Sequence, residues 1–270
     1  MARRINPGPL LAVAFLGVAG VLAWKFYPRG EPAPAPVQAA PAAVATPDAA
    51  PAVEYPIEAV PVLPEAPAEP LPALEDSDGA AWAALSALLE GGDLAQWLLP
   101  THLVQRLVTT IDALPRRDIN RQAYAARPVE GGLATTEAAG MRYLDAANFA
   151  RYDAAVATFE RVDSRALVSA YVRFYPLFQQ AWREVGPPGS QFNDRLVAVL
   201  DHLLAAPEPQ GPIALVPAEG KPRWEFADPR MEQASIGHKA LWRMGPDHAT
   251  RVKAKLRQLR ELLAGQRPAA

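Results

Sequence analysis

Twelve of the chain's 29 prolines fall within residues 31–72, a stretch otherwise dominated by alanine and acidic side chains. Each proline fixes its own φ, removes a backbone donor and pushes the preceding residue toward extended geometry. Neither helix nor sheet propagates through such a run. The composition therefore predicts a disordered, semi-rigid spacer over residues 28–72, advancing about 3.1 Å per residue, or roughly 120 Å for some 40 residues. This spacer divides the 270-residue chain. Residues 73–264 follow it and are enough for one domain with its own core, with residues 265–270 expected as a flexible tail.

Ahead of the spacer, an uncharged run from Ile5 to Trp24 follows Arg3 and Arg4. About 20 residues at 1.5 Å each cross a ~30 Å hydrocarbon layer. Trp24, Phe26 and Tyr27 stand where interfacial aromatics belong, and Lys25 can extend its ammonium outward. A cleaved signal peptide has a shorter apolar region and a nearby small-x-small site. Here the run ends in Trp24-Lys25-Phe26-Tyr27-Pro28, which is bulky and unsuited to cleavage. The reading is a single-pass signal-anchor over residues 9–27 with residues 1–8 cytoplasmic. Arg3 and Arg4 against Lys25 and Arg29 put the soluble domain outside the cytoplasm, in the periplasm, by the positive-inside rule.

The formal net charge of −2 does not favour nucleic acid. Its distribution is uneven: no Lys or Arg lies between Arg29 and Arg106, whereas Arg251, Lys253, Lys255, Arg257, Arg260 and Arg267 crowd the C-terminal end. An acidic spacer and a basic last helix are expected to attract each other weakly. The absence of cysteine removes disulfides, thiol catalysis and thiolate metal clusters together.

Beyond residue 73 the pattern is helical. Asp76 or Ser77 is placed to cap a helix carrying Trp82, Leu85, Leu88 and Leu89, stopped by Gly91-Gly92. Asp76-Ser77-Asp78-Gly79 resembles the start of a calcium loop, but the later ligands are missing. Thr101 is placed to cap a helix with Leu103, Val104, Leu107, Val108 and Ile111. From Arg116 to about Tyr143 the period is lost, and loops with a short hairpin are expected. Phe149, Tyr152, Val156 and Phe159 restore helical spacing. Asp163 or Ser164 then opens the longest helix, running through Leu167, Tyr171, Phe174, Phe178 and Trp182, with a kink or break expected at Pro176. Ser190 is placed to cap the next helix. Residues 213–226 hold too much Pro and Gly for a helix, and Trp224-Glu225-Phe226 reads as extended. Asp228-Pro229 starts a helix toward Met244, and Asp247 opens the last one. The expected fold is mostly α, a multi-helix domain with a kinked central helix and at most a small β element.

Several motifs then resemble a bacterial family known only as domain of unknown function number 3014. They are Leu74-Glu75-Asp76-Ser77-Asp78, Val108-Thr109-Thr110-Ile111-Asp112-Ala113-Leu114-Pro115-Arg116, Asn148-Phe149-Ala150-Arg151-Tyr152 and Tyr175-Pro176-Leu177-Phe178-Gln179. Phe192-Asn193-Asp194-Arg195, Phe226-Ala227-Asp228-Pro229 and Met244-Gly245 continue the series. Phe149 and Trp182 stand where the pattern would have tyrosines. The resemblance implies an anchored envelope protein of proteobacterial type and implies no activity.

No glycine-rich phosphate loop, His-Glu-x-x-His, Gly-x-Ser-x-Gly or Ser-x-x-Lys occurs. His102, His202, His238 and His248 lack metal-ligand spacing, and no cofactor is expected. The candidate binding residues are Arg151, Tyr152, Arg173, Gln179, Asn193 and Arg195, with Asn148 beside them. Read functionally, guanidinium, amide and phenol groups could grip an anionic or carbohydrate ligand, with Arg151 and Arg195 at its centre. Read structurally, and preferred here, they are buried polar groups joining helices. The expected function is a non-catalytic binding or scaffolding module, tethered to the membrane, that meets an envelope protein or polymer. The alternative is an envelope hydrolase working through Asp201 or Asp228.

Overall fold

The computed structural model describes residues 52–63, 70–89, 94–118, 123–127, 132–220 and 223–264. The expected anchor, the residues before it and the C-terminal tail lie outside the described residues. Among the described residues no helix is long and apolar enough to cross a membrane.

Eight α-helices and four short strands make up this part. α1 (Asp78–Ala87) and α2 (Leu103–Ala113) come first, followed by the hairpin β1 (Thr135–Ala138) and β2 (Met141–Leu144). A 3-10 segment, Ala146–Tyr152, leads into α3 (Asp153–Arg161), then α4 (Ser164–Val185) and α5 (Phe192–Leu204). β3 (Ala214–Pro217) and β4 (Trp224–Phe226) precede α6 (Pro229–Glu232), α7 (Ile236–Arg243) and α8 (Pro246–Leu263). The mostly helical class and the small β element agree with the sequence.

The main core lies among α1, α2, α3, α4, α5 and α8, where Phe159, Phe192, Leu103, Leu200 and Leu256 are fully buried. A second, smaller core lies under the sheet and holds Leu144, Ile213, Leu215, Phe226 and Trp242. The sheet is antiparallel throughout in the order β1-β2-β3-β4, with Arg142 opposite Leu215 and Leu215 opposite Phe226. Its hairpin turns through Ala139 and Gly140, at φ 51° and 74°. Two positive φ values in a row match the right-handed twist of the strands, and alanine accepts the first at some strain.

Several helix starts differ from the expected caps. Thr101 does not cap α2. The N-cap is His102 in left-handed geometry (φ 51°), and the carboxylate of Asp78, in the first turn of α1, accepts from the N–H groups of His102 and Leu103 at 2.8 and 2.7 Å. Ser190 does not cap α5 either. Gln179 on α4 does so across space, its Oε1 accepting from the Phe192 N–H at 2.8 Å. Asp163, by contrast, caps α4 as expected, accepting from the Ala166 N–H at 2.8 Å. α4 runs unbroken through Pro176, where the expectation allowed a break. The helix expected from Asp228 to Met244 is two, because Ser235 caps a second start by accepting from the His238 N–H at 3.2 Å. The last helix begins at Pro246 after Gly245 rather than at an Asp247 cap. Gly245 sits at φ 89°, and a Cβ there would meet the Phe149 ring at 2.6 Å, so the position needs glycine twice over.

A larger departure concerns residues 52–63, which composition assigns to the unpacked spacer. They lie against the domain. The Asp194 carboxylate accepts from the N–H groups of Glu54 and Tyr55 at 3.2 and 2.7 Å, and the Leu63 N–H donates to Ser169 Oγ at 2.8 Å. Val60 is buried in the main core, with Tyr55 and Ile57 packed against it. The physical reason is local composition: Tyr55, Ile57 and Val60 supply apolar side chains that pack on the main core.

Among the described residues, the basic last helix meets partners within the domain. Arg251 pairs with Glu160 and Arg260 with Asp201, both carboxylates of the domain itself. Lys253 donates to the Ala206 carbonyl at 2.5 Å, and Lys255 to the carbonyl of Val162, where chain segments leave α5 and α3. The docked segment touches this helix through Tyr55, whose ring lies 5.9 Å from the Arg260 guanidinium.

Candidate functional site

The candidate residues fall into separate sets, each with its own hydrogen-bond partners. The first surrounds the α4–α5 corner. Gln179 is buried and accepts from the Tyr175 hydroxyl at 2.9 Å as well as from Phe192, while its Nε2 donates to the Ser190 carbonyl at 3.0 Å. Ser190 Oγ in turn accepts from Trp182 Nε1 at 2.8 Å and donates to the Pro187 carbonyl at 2.6 Å. Burial pushes the Tyr175 phenol above its ordinary pKa, so it acts as a neutral donor here. Asn193, fully buried, donates through Nδ2 to the carbonyls of Tyr55 at 2.8 Å and Leu263 at 3.2 Å. Its Oδ1 meets no hydrogen-bond partner among the described residues.

Arg195 belongs to a second set. Its Nε donates to Asp112 Oδ1 at 2.8 Å and an Nη donates to the Asp112 carbonyl at 2.8 Å, while Arg116 takes the other carboxylate oxygen. Asp112, near the end of α2, is thus held between two guanidiniums, and only 7% of its side chain is exposed. Arg195 and Asp112 line an open cleft of about 550 Å³ together with Glu54, Trp182, Gln191 and Asp194.

The third set lies beside the hairpin. Arg151 donates to Asn148 Oδ1 at 2.9 Å and to the Gly132 carbonyl at 3.1 Å, and Asn148 Nδ2 donates to the Arg243 carbonyl at 3.0 Å. Tyr152 is buried, which raises its pKa, with Arg151 and Arg243 opposing the rise. Arg173 stands apart from all three sets: it is exposed on α4, its guanidinium 5.6 Å from the Phe174 ring centre. The hydrogen bonds of Arg151, Gln179, Asn193 and Arg195 join elements of the chain to one another. They do not converge on one ligand site.

The carboxylates of the alternative reading are engaged separately. Asp201 forms a two-pronged pair with Arg260 at 2.9 and 3.2 Å, and Asp228 caps α6 by accepting from the Arg230 N–H at 2.8 Å.

Sequence reasoning passed over a histidine pair. The His202 and His238 rings stack with centres 4.2 Å apart, His202 Nε2 lies 2.7 Å from Ser235 Oγ, and His238 Nε2 lies 2.8 Å from the His202 carbonyl. Burial lowers both pKa values, His202 also feeling its neighbour's charge and His238 gaining some back from its bond to that carbonyl. They sit 36 residues apart in sequence, so no spacing rule could have joined them. Among the described residues no group of three or more His, Cys, Asp or Glu side chains could hold a metal ion.

The family model described as protein of unknown function, DUF3014, matches residues 103–260, more than half of the chain. The chain belongs to the DUF3014 family. The match runs from the first residue of α2 into the last turn of α8, so α1, the Leu74–Asp78 motif and the docked segment lie outside the matched DUF3014 region. No curated protein and no solved structure matches the chain. The DUF3014 region contains all six candidate residues and the histidine pair, and the family description assigns no activity to them.

Proposed function

We propose that this protein is a non-catalytic, membrane-tethered binding or scaffolding module of the bacterial cell envelope. Residues 9–27 anchor it in the inner membrane, and the helical domain works in the periplasm on an envelope protein or polymer. The observation that carries the reading is the clamp on residues 52–63, held by Asp194, Ser169 and Asn193. A spacer that merely links anchor to domain has no need of a fixed attachment point. One that is gripped beside α5 sets the point on the domain surface from which the chain toward the anchor departs.

Two measurements test this. A phosphatase reporter fused after Ala270 should be active and a cytoplasmic reporter at the same place inactive, and the full chain should stay in membranes after a high-salt wash. The opposite reporter pattern, or a shortened soluble form, would refute the anchored periplasmic reading. A photo-crosslinking residue at exposed Val185 or Val216 should capture one discrete envelope component in cells. No adduct at either position, together with loss of the cellular phenotype in Asp201→Asn or Asp228→Asn, would favour the hydrolase instead.

A further inference from the structure

A cavity of about 290 Å³ lies where the two cores adjoin, bounded by the loop that leaves α5, the start of α8 and the chain just after β2. Its buried wall carries Leu144, Ile213, Leu241 and Trp242, and its exposed rim carries Pro207, Glu208 and Pro212. Specific contacts hold this space open. Trp242 Nε1 donates to the Pro207 carbonyl at 2.7 Å, which pins the loop, and Pro207, Pro209 and Pro212 restrict its backbone. A space of this size holds about ten methylene-sized groups at roughly 30 Å³ each. Preformed apolar cavities with a few polar groups are where proteins take up small molecules.

The lining chemistry narrows what could enter. Lys253 of α8 is only 8% exposed, and both it and Ala206, whose carbonyl its ammonium reaches at 2.5 Å, line the cavity. The Nζ end of the side chain therefore stands at the cavity wall. Two other buried lysines are better matched: Lys239 pairs with the Glu232 carboxylate at 3.0 Å, and Lys255 reaches the carbonyls of both Val162 and Glu160. Among the described residues Lys253 has one neutral acceptor for its three donors and no carboxylate within ion-pair distance. Burial pulls its pKa down, Glu208 on the rim opposes that from a distance, and Arg257 adds to it. A buried cation without a counter-ion is costly to the fold. An anionic oxygen bound in the cavity would remove that cost.

We infer that this cavity binds a small monoanionic carboxylate with an apolar body of up to about eight carbons, its head accepting from Lys253 and its body lying on Leu144, Ile213 and Trp242. The volume is too small for a two-chain lipid, so a free single-chain or ring acid is the class that fits. The inference goes beyond the tethered-module reading and does not rest on it, since every residue it invokes lies within residues 144–253.

The test uses the full chain in phosphatidylcholine nanodiscs, with isoleucine, leucine and valine methyl groups labelled for NMR. The probes are sodium octanoate, 1-octanol and octylammonium chloride, each compared at equal free aqueous concentration. Octanoate should shift the methyl signals of Leu144, Ile213 and Leu241 and bind about tenfold more tightly than the alcohol, the advantage of a charge-assisted over a neutral hydrogen bond. Octylammonium should leave those signals in place, because Lys253 repels it. Lys253→Gln should erase the preference for octanoate over octanol, and Lys253→Arg should keep it. Ala249→Leu, which fills the cavity, should abolish binding of both, and Ala146→Leu at the exposed mouth serves if that variant does not fold. The three probes on the unaltered chain need no variant, so that comparison stands even if Lys253→Gln unfolds. Absence of localised shifts below the micelle concentration of octanoate, equal affinity for octanoate and octanol, or a preference that survives Lys253→Gln would each overturn the inference. Such a failure appears in the methyl spectra alone, whereas failure of the tethered-module reading appears in the reporter fusions and membrane washes.

Discussion

Arg195→Met keeps the length of the side chain on α5 and removes both of its hydrogen bonds to Asp112. The bond to the carboxylate is charge-assisted, worth about 1.5–3 kcal/mol, and the bond to the carbonyl about 0.5–1.5 kcal/mol. Breaking a fully buried pair costs about 3–5 kcal/mol because it strands the remaining charge. Two features reduce that here: 29% of the Arg195 side chain is exposed, and Arg116 still holds the second oxygen of Asp112. The expected loss is about 2–3 kcal/mol, which for a domain of this size lowers the melting temperature by about 5–10 °C. Thermal and urea unfolding of the chain from Ala52 onward would measure it. Asp112→Asn and the double variant complete a cycle whose coupling should exceed about 1 kcal/mol. A melt within about 1 °C of the parent would refute the structural role and return Arg195 to the list of ligand-binding residues.

Gly245→Ala should cost about 2–4 kcal/mol, since φ 89° with ψ 161° is a region open essentially to glycine and the new Cβ would displace Phe149; a melt shifted by less than about 2 °C would contradict it. Asp194→Ala should free residues 52–63 from α5 at a cost of about 1–2 kcal/mol, read as new protease cleavage within that segment, whereas an unchanged digestion pattern would mean that Val60 and Ile57 hold it alone. Burial keeps His202 and His238 below their ordinary pKa of about 6.5, so near pH 6 the unfolded chain binds more protons than the folded one. Stability should therefore be full above about pH 6.5 and fall as pH drops through the folded values, and His238→Gln should flatten that slope in unfolding measurements between pH 7.5 and 5. An unaltered slope would exclude this pair as its source.

What the sequence determined by itself is local. Apolar residues at helical spacing give α2, α4, α5 and α8, because a helix needs only a stripe and a stop to be recognised. Asp163 and Asp228 were legible as caps because each satisfies an N–H two or three residues ahead. The break of period after Arg116 and the extended Trp224-Glu225-Phe226 were legible for the same reason. That Gln179, Asn193 and Arg195 are polar groups set among aromatic residues was visible too.

The tertiary structure decided everything that depends on a partner far away in the chain. Orphan N–H groups at a helix start accept any oxygen that the fold delivers, so Asp78 caps α2 from 25 residues before it and Gln179 caps α5 from 13 residues before it. Arg195 finds Asp112 across 83 residues, and Tyr55 finds Asp194 across 139. No periodicity records such pairings, since they follow from how whole helices cross. Proline content, likewise, limits residues 52–63 to a single 3-10 turn over Ile57–Ala59 but is silent on docking. A segment with only one 3-10 turn of its own can still bury Val60 and lend its backbone N–H groups to a carboxylate, provided that a folded surface is there to receive them.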